Sequence, residues 1–140
     1  MEGKRTAIFV LRLFIGGVLL ATATGKFLDV PGFRAVLVTY QTFPLWIIAP
    51  VAWIMPSIEL VLGLLLLFNQ KLRLAALGSV ALHLSFVALA SSVLLRGLTL
   101  DNCGCFGVFL ARPLTWGTVG EDLFMVALSA SLTALAPRKS

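Results

Sequence analysis

Residues 45–68 of the chain read LWIIAPVAWIMPSIELVLGLLLLF, and Glu59 is their only ionisable side chain. The hydrocarbon core of a bilayer is about 30 Å thick, and a helix needs about 20 residues to cross it. Since no water is present there to satisfy a peptide group, such a segment closes its backbone hydrogen bonds internally as a helix. This stretch therefore predicts a helix that spans a membrane.

Three further stretches have similar length and character, and the four together occupy most of the 140-residue chain. Hydrophobic residues make up 59% of the sequence and charged residues 12%, whereas soluble domains are roughly half apolar and about a quarter charged. The sequence predicts an all-α integral membrane four-helix bundle, a single transmembrane domain covering residues 1–140. Its spans are expected at about Thr6–Phe27, Leu45–Phe68, Leu72–Leu95 and Trp116–Ala136.

The first span has a second interpretation, as a secretory signal. MEGKR precedes an apolar run that leads to the small residues ATATG, which is the order of a signal sequence and its cleavage site. The run is longer than a signal core, Arg12 interrupts it, and its small residues are spaced as a packing face. We therefore expect a helix that is retained.

The net charge of +5 comes from basic residues that, apart from Arg12, lie singly or in pairs near the ends of the apolar runs. Because they form no basic stripe, a nucleic-acid partner is excluded. Cytoplasmic flanks carry an excess of Lys and Arg, so we expect a bacterial inner-membrane protein with both termini in the cytoplasm and residues 101–107 outside. The cytoplasmic flanks would carry Lys4, Arg5, Lys71, Arg73, Arg138 and Lys139, and the outer flanks Lys26, Arg34, Arg96 and Arg112.

Local patterns predict three further features. The first outer loop, residues 28–44, carries apolar side chains at helical spacing, which predicts a short amphipathic helix at the membrane interface. Small residues four apart in the first and third spans predict close helix packing. Thr118 and Glu121 match a capping box at the start of the last span. The spaced residues are Phe33, Val36, Leu37 and Tyr40 in the loop, Gly17, Ala21 and Gly25 in the first span, and Ala75, Ser79 and His83 in the third.

Both cysteines of the chain lie in one short polar stretch, DNCGCFG at residues 101–107. Cys103 and Cys105 can close a disulfide if the chain turns tightly between them, and Gly104 permits such a turn. A ring this small removes little chain entropy, so a structural role explains it poorly. A redox pair or a soft-metal site such as Cu(I) fits better, and inert thiols are the remaining alternative. The ligands needed for zinc are lacking, and since the outer loops offer no methionine for a copper relay, the redox pair is favoured over copper and no residue is assigned as a metal ligand.

Three ionisable residues lie well away from the ends of the spans, where such residues are costly and are candidates for function. Arg12 and Glu59 lie at similar depth, which predicts an ion pair that either fixes helix register or takes part in catalysis. His83 lies near the middle of the third span. It can bond a quinone carbonyl or pass a proton, or simply bond a neighbouring helix.

A second polar group is expected at the level of the cysteines, at the outer ends of three helices. Lys26 or Arg96 can stabilise a cysteine thiolate, or both can act as anchors that reach the interface beside acidic partners. Glu121 and Asp122 lie at the same level in the last span. These residues are predicted to support the two cysteines.

Three motifs resemble those of a known family. TGKFLD at Thr24–Asp29, PSIELVLG at Pro56–Gly63 and CGCFG at Cys103–Gly107 are similar to the DoxX-like membrane proteins, specifically the MauE branch associated with methylamine utilisation. The resemblance implies a four-helix membrane protein that works with an extracytoplasmic thioredoxin-like partner in the redox maturation of a client enzyme. It also implies an aspartate directly before the first cysteine, where this chain has Asn102, with Asp101 one residue earlier.

These observations lead to one function hypothesis and two alternatives. The hypothesis is a membrane thiol–disulfide redox protein, in which Cys103 and Cys105 exchange electrons with a thioredoxin-like partner and with a membrane acceptor such as a quinone. One alternative is a non-enzymatic membrane scaffold that matures a redox client. The other is a protein that handles copper or another soft metal.

Overall fold

The structure is a computed structural model, and it describes residues 2–105, 107, 109 and 111–137. Phe106 of the CGCFG motif, and Arg138 and Lys139 of the expected cytoplasmic flank, lie outside these residues. The described chain forms five helices: α1 (Glu2–Leu28), α2 (Val30–Thr39), α3 (Leu45–Leu67), α4 (Leu72–Leu95) and α5 (Trp116–Leu135).

The fold-class prediction is confirmed. Four of the helices, α1, α3, α4 and α5, are long and apolar enough to cross a membrane, and no strand occurs in the described residues. Helices α3 and α4 begin at the residues expected from hydropathy, and α5 begins at Trp116, also as expected. The amphipathic loop segment forms α2. Helix α1 starts four residues before the apolar run, because its polar first turn extends the same helix.

The bundle consists of two closely packed pairs, α1 with α3 and α4 with α5. Helices α1 and α3 approach at Gly16 and Gly63, where a Cβ on either glycine would lie 3.1 Å from the carbonyl oxygen of the other. The predicted row of α1 is therefore wrong at Gly17 and Ala21, which are exposed, and right at Gly25, which is buried. In α4 the predicted row is confirmed, because Ala75, Ser79 and His83 are all buried.

Helix α2 lies against the start of α3 and over the interior of the bundle. The Asp29 carboxylate accepts a hydrogen bond of 3.0 Å from the Gly32 N–H and caps its first turn. Its apolar face buries Phe33 and Leu37 with Ile48 and other residues of α3. Because one face of the short helix is buried in this way, α2 covers the bundle at the end that carries the cysteines.

The capping box of α5 begins three residues earlier than predicted. The Thr115 side chain accepts from the Gly117 N–H at 3.1 Å, and the Thr118 hydroxyl accepts from the Thr115 N–H at 3.2 Å. Thr118 thus occupies the third helical position of the box, and Glu121 takes no part in it. The carboxylate of Glu121 is left available for another partner.

Candidate functional site

The two thiols face each other in the segment between α4 and α5. Cys103 is buried and Cys105 is half-buried; both are free, and their sulfur atoms lie 2.8 Å apart. Two backbone hydrogen bonds hold the segment to the chain before α5, from the Cys103 N–H to the Arg112 carbonyl at 2.8 Å and from the Leu114 N–H to the Leu100 carbonyl at 3.0 Å. The thiol pair is therefore fixed relative to the bundle.

Asn102 and two glycines shape the turn that carries the thiols. The Asn102 amide oxygen accepts from the Gly104 N–H at 2.9 Å, and its amide nitrogen donates to the Gly107 carbonyl at 3.0 Å. Both glycines have positive φ, +76° and +68°. A Cβ at Gly104 would lie 2.8 Å from the Val36 side chain, and one at Gly107 would lie 2.4 Å from the Gly25 carbonyl oxygen. The turn is therefore packed against both α2 and α1.

The pKa values of the two thiols are shifted in opposite directions. A hydrogen bond from the Cys105 thiol lowers the pKa of Cys103 to about 6; burial acts against this shift, while the Cys105 N–H and the Arg112 charge add to it. The same hydrogen bond, together with burial and the neighbouring charge, raises the pKa of Cys105. At neutral pH, Cys103 is therefore a thiolate and Cys105 a thiol that donates to it.

Tyr40 joins the thiol segment to α2. Its hydroxyl donates to the Cys103 carbonyl oxygen, and burial, followed by the charges of Cys105 and Cys103, raises the pKa of the phenol. The hydroxyl is therefore protonated and acts as a donor. In the sequence, Tyr40 stands out only as one apolar position of the amphipathic segment, so this contact was not predicted.

The cation whose charge lowers the pKa of Cys103 is Arg112, which the sequence indicated only as a flanking charge. Arg112 bonds both carboxylate oxygens of Glu121, at 2.9 and 2.8 Å. The predicted alternative, Arg96, instead donates to the carbonyls of Tyr40 and Gln41, at 2.9 Å each, and to the Thr42 hydroxyl. Arg96 therefore holds the α2–α3 turn in place, away from the sulfurs.

The predicted ion pair between Arg12 and Glu59 is wrong. Arg12 donates to the carbonyls of Leu66 and Leu67, at 3.0 and 2.8 Å, at the C-terminal end of α3. Glu59 pairs instead with Lys26 and also accepts from the Thr22 hydroxyl. Similar depth did not bring Arg12 and Glu59 together, because their side chains lean in opposite directions along the membrane normal.

Lys26 is enclosed rather than anchored at the interface. It is 3% exposed and its partner Glu59 is 1% exposed. Its ammonium nitrogen lies 5.6 Å from the ring centre of Phe33 and 5.4 Å from that of Phe86, which is cation–π geometry. A buried charge requires such partners. Lys26, Glu59 and the two aromatic rings therefore form a preorganised polar site at this end of α1.

His83 belongs to a chain of hydrogen bonds between α4 and α5. Its Nδ1 lies 2.9 Å from the Ser79 carbonyl oxygen, and the Ser79 hydroxyl lies 2.8 Å from that of Ser129. Its ring meets Phe86 edge-on, with the ring centres 5.7 Å apart. Both partners of the His83 Nδ1 atom belong to Ser79 of the same helix, so the expected bond to a neighbouring helix is made by Ser79, to Ser129 of α5, and not by His83 itself.

A cavity of about 820 Å³ connects these groups. The thiols, Tyr40 and Arg112 line one end, the Lys26–Glu59 pair and His83 lie along it, and apolar side chains form most of the remaining wall. Asp122 also lines the cavity, whereas Asp101 is exposed and makes no hydrogen bond within the described residues. The structure therefore brings together most of the predicted site residues, but neither Arg12, Arg96 nor Asp101.

The described residues contain no cluster of three or more His, Cys, Asp or Glu side chains that could hold a metal ion. Two sulfurs are too few for a structural zinc site, which needs four ligands.

The family model and the curated relatives that match this chain all carry the same family name. The model of the family described as methylamine utilisation protein MauE matches residues 4–135. The chain is 29% identical to the methylamine utilization protein MauE of Paracoccus denitrificans over 130 residues, which cover 93% of this chain and 70% of that protein. It is also 29% identical to the protein of the same name from Methylophilus methylotrophus over 136 residues, covering 97% of this chain and 68% of that protein. No solved structure matches the chain significantly.

Proposed function

Since the chain belongs to the MauE family, we propose that it is a membrane thiol–disulfide redox protein whose Cys103–Cys105 pair exchanges electrons with a thioredoxin-like partner during maturation of a client enzyme. The observation that carries the proposal is the thiol pair itself, with sulfurs 2.8 Å apart and the pKa of Cys103 lowered to about 6. Because the relatives are named for methylamine utilisation, we propose that the client belongs to that process. We also infer from the shared motifs that the protein is DoxX-like.

The burial and acidity of the two sulfurs assign them different roles. In the oxidised protein, a partner thiolate attacks Cys105, the more accessible sulfur. The S–S bond breaks, a mixed disulfide forms, and Cys103 leaves as a thiolate, as favoured by its low pKa. The partner's second thiol then attacks the mixed disulfide and releases Cys105. The partner is oxidised by two electrons and the Cys103–Cys105 pair is reduced by two.

The accessible sulfur has to face the compartment in which the partner works. We propose that both termini are cytoplasmic and that the thiol segment is extracytoplasmic, in the bacterial inner membrane. The support is the excess of Lys and Arg on one side of the four spans. A membrane-impermeant maleimide applied to intact cells after mild reduction tests the orientation. Labelling that occurs only after lysis would contradict it.

Trapping the mixed disulfide tests the function. Cys103→Ser leaves Cys105 able to form a mixed disulfide with an oxidised thioredoxin-like partner and removes the second sulfur of this chain, so a covalent complex with that partner should accumulate. Cys105→Ser should trap much less, because the remaining sulfur is buried, and the double variant should trap none. The adduct should disappear on reduction. Full client maturation in both single variants, with no reducible adduct, would reject the redox function in favour of a scaffold role.

A further inference from the structure

The cavity reaches the bilayer as well as the thiols. Phe14, Val18, Thr22 and Lys26 of α1 all line it, and residues four apart lie along one side of a helix. From Phe14 to Lys26 this row extends about 18 Å at 1.5 Å per residue. The cavity therefore runs along α1 from the cysteine end to the middle of the span.

The deep part of the cavity opens sideways. Phe14 of α1 is 48% exposed and Phe124 of α5 is 58% exposed, and both also line the cavity. In a membrane-spanning helix, exposed side chains at this depth meet lipid. These two side chains, one on α1 and one on α5, mark the route by which a hydrophobic molecule would enter the cavity from the bilayer.

The other end of the cavity combines aromatic rings, a cation and a nucleophile. The ring of Phe33 lies beside the Lys26 ammonium, with the nitrogen 5.6 Å from the ring centre. The backbone at Gly104, between the two cysteines, packs against the same ring, since a Cβ there would lie 3.4 Å from the Phe33 Cε1 atom. A flat ring bound here would therefore have the thiolate on one side and a hydrogen-bond donor on another.

We propose that this cavity binds a membrane quinone, with the ring between the thiol pair and Lys26 and the isoprenoid tail leaving between α1 and α5, and that the quinone re-oxidises Cys103 and Cys105. The proposal rests on the redox function proposed above and names its electron acceptor. A volume of about 820 Å³ lies within the range of roughly 300–1,000 Å³ found for small-molecule pockets. Lys26 supplies the donor that a quinone carbonyl needs.

The reaction balances with these groups. The Cys103 thiolate adds to an electrophilic ring carbon, and the Cys105 sulfur, on losing its proton, attacks Cys103. The S–S bond forms, the C–S bond breaks, and its electron pair stays on the ring. The proton from Cys105 and one from solvent complete the hydroquinone, so the quinone gains the two electrons that the thiols lose.

Decylubiquinone added to the reduced, purified protein without oxygen tests this reaction. We expect one disulfide for each quinone reduced. Val18→Trp should block the row along α1 and slow the oxidation about tenfold or more, whereas Val10→Trp should not, because Val10 of the same helix is 55% exposed and lies outside the cavity. Equal rates in the two variants, or a pair that stays reduced, would overturn the proposal.

A binding measurement keeps the test independent of how the variants fold. Decylubiquinone should raise the Tm of the unmodified protein by mass action, and decanol, which has the tail but no ring, should not. Equal effects of the two compounds would overturn the quinone site. If the partner adduct forms while decylubiquinone neither binds nor oxidises the thiols, the acceptor proposal fails and the redox function stands. If decylubiquinone binds and no adduct forms, the quinone site stands and the exchange with a partner fails.

Discussion

Replacing Cys105 by alanine should make Cys103 a much weaker acid than replacing it by serine. Both substitutions leave Cys103 as the only thiol of the chain. Serine keeps a hydroxyl that can donate to the Cys103 sulfur, whereas alanine removes the hydrogen bond that is the largest cause of the lowered pKa. The comparison therefore isolates that hydrogen bond.

The size of the effect follows from the two pKa values. With a pKa of about 6, Cys103 is about 90% thiolate at pH 7, whereas an ordinary cysteine with a pKa of about 8.5 is about 3% thiolate. Thiolate forms as pH rises through the pKa, so a raised pKa moves the onset of reactivity to higher pH. We expect the serine variant to titrate well below pH 8.5 and the alanine variant to move most of the way towards it.

Alkylation by iodoacetamide at a series of pH values, followed by mass spectrometry of the purified protein, gives the pKa as the midpoint of the rate profile. The midpoint is a better measure than the rate at one pH, because the intrinsic nucleophilicity of a thiolate falls as its pKa falls. Arg112→Gln in the serine background should shift the midpoint upward by less, since the Arg112 charge is a smaller cause. Equal midpoints in the serine and alanine variants would refute the role of the Cys105 hydrogen bond.

Three further changes have definite expected results. Lys26→Met should lower the free energy of unfolding by about 3–5 kcal/mol, because it leaves the Glu59 charge buried and unpaired. Adding Glu59→Gln should recover much of this stability in thermal unfolding. Purely additive losses in the double variant would disprove the pairing. Gly107→Ala should cost at least about 1–2 kcal/mol from its positive φ alone, and an unchanged Tm would show that the turn is not packed against α1. Asn102→Asp should raise the pKa of Cys103 by placing a carboxylate beside it, whereas Asp101→Asn at an exposed position should leave the alkylation midpoint near its original value.

The sequence was sufficient for the long helices because the bilayer supplies a strong and simple constraint. A run such as Leu45–Leu67 has to pair all its backbone groups internally, so hydropathy alone locates α3 to within a residue at either end. The N-cap of helix α5 was harder to predict, because the polar sequence at the start of the helix offers two threonines, Thr115 and Thr118, that can both act as the N-cap residue. Thr115 takes it because the Thr118 hydroxyl can bond back to the Thr115 N–H.

The thiol site could be predicted only in part. The spacing of Cys103 and Cys105 is local and identifies the pair, but the groups that tune it come from elsewhere in the chain. Tyr40 reaches Cys103 across 63 positions, and this contact depends on how α2 docks. Arg112 lies closer in sequence, and the backbone bond between its carbonyl and the Cys103 N–H sets its place. Neither of these two contacts can be predicted from the periodicity of the sequence.

The wrong prediction of an Arg12–Glu59 pair shows that similar depth in the membrane does not by itself bring two side chains together; the direction in which each side chain leans also matters. Contacts of α1 with α3 run in opposite order along the two helices, with Arg12 at Leu66 and Leu67 and Lys26 at Glu59, so the helices are antiparallel. Helical side chains lean towards the N-terminus of their own helix. Arg12 and Glu59 therefore lean apart, Arg12 towards the start of α1 and Glu59 towards the cysteine end. Lys26 leans towards the start of α1 and so meets Glu59, which leans towards the cysteine end, and both charged groups line the cavity that the thiols also line.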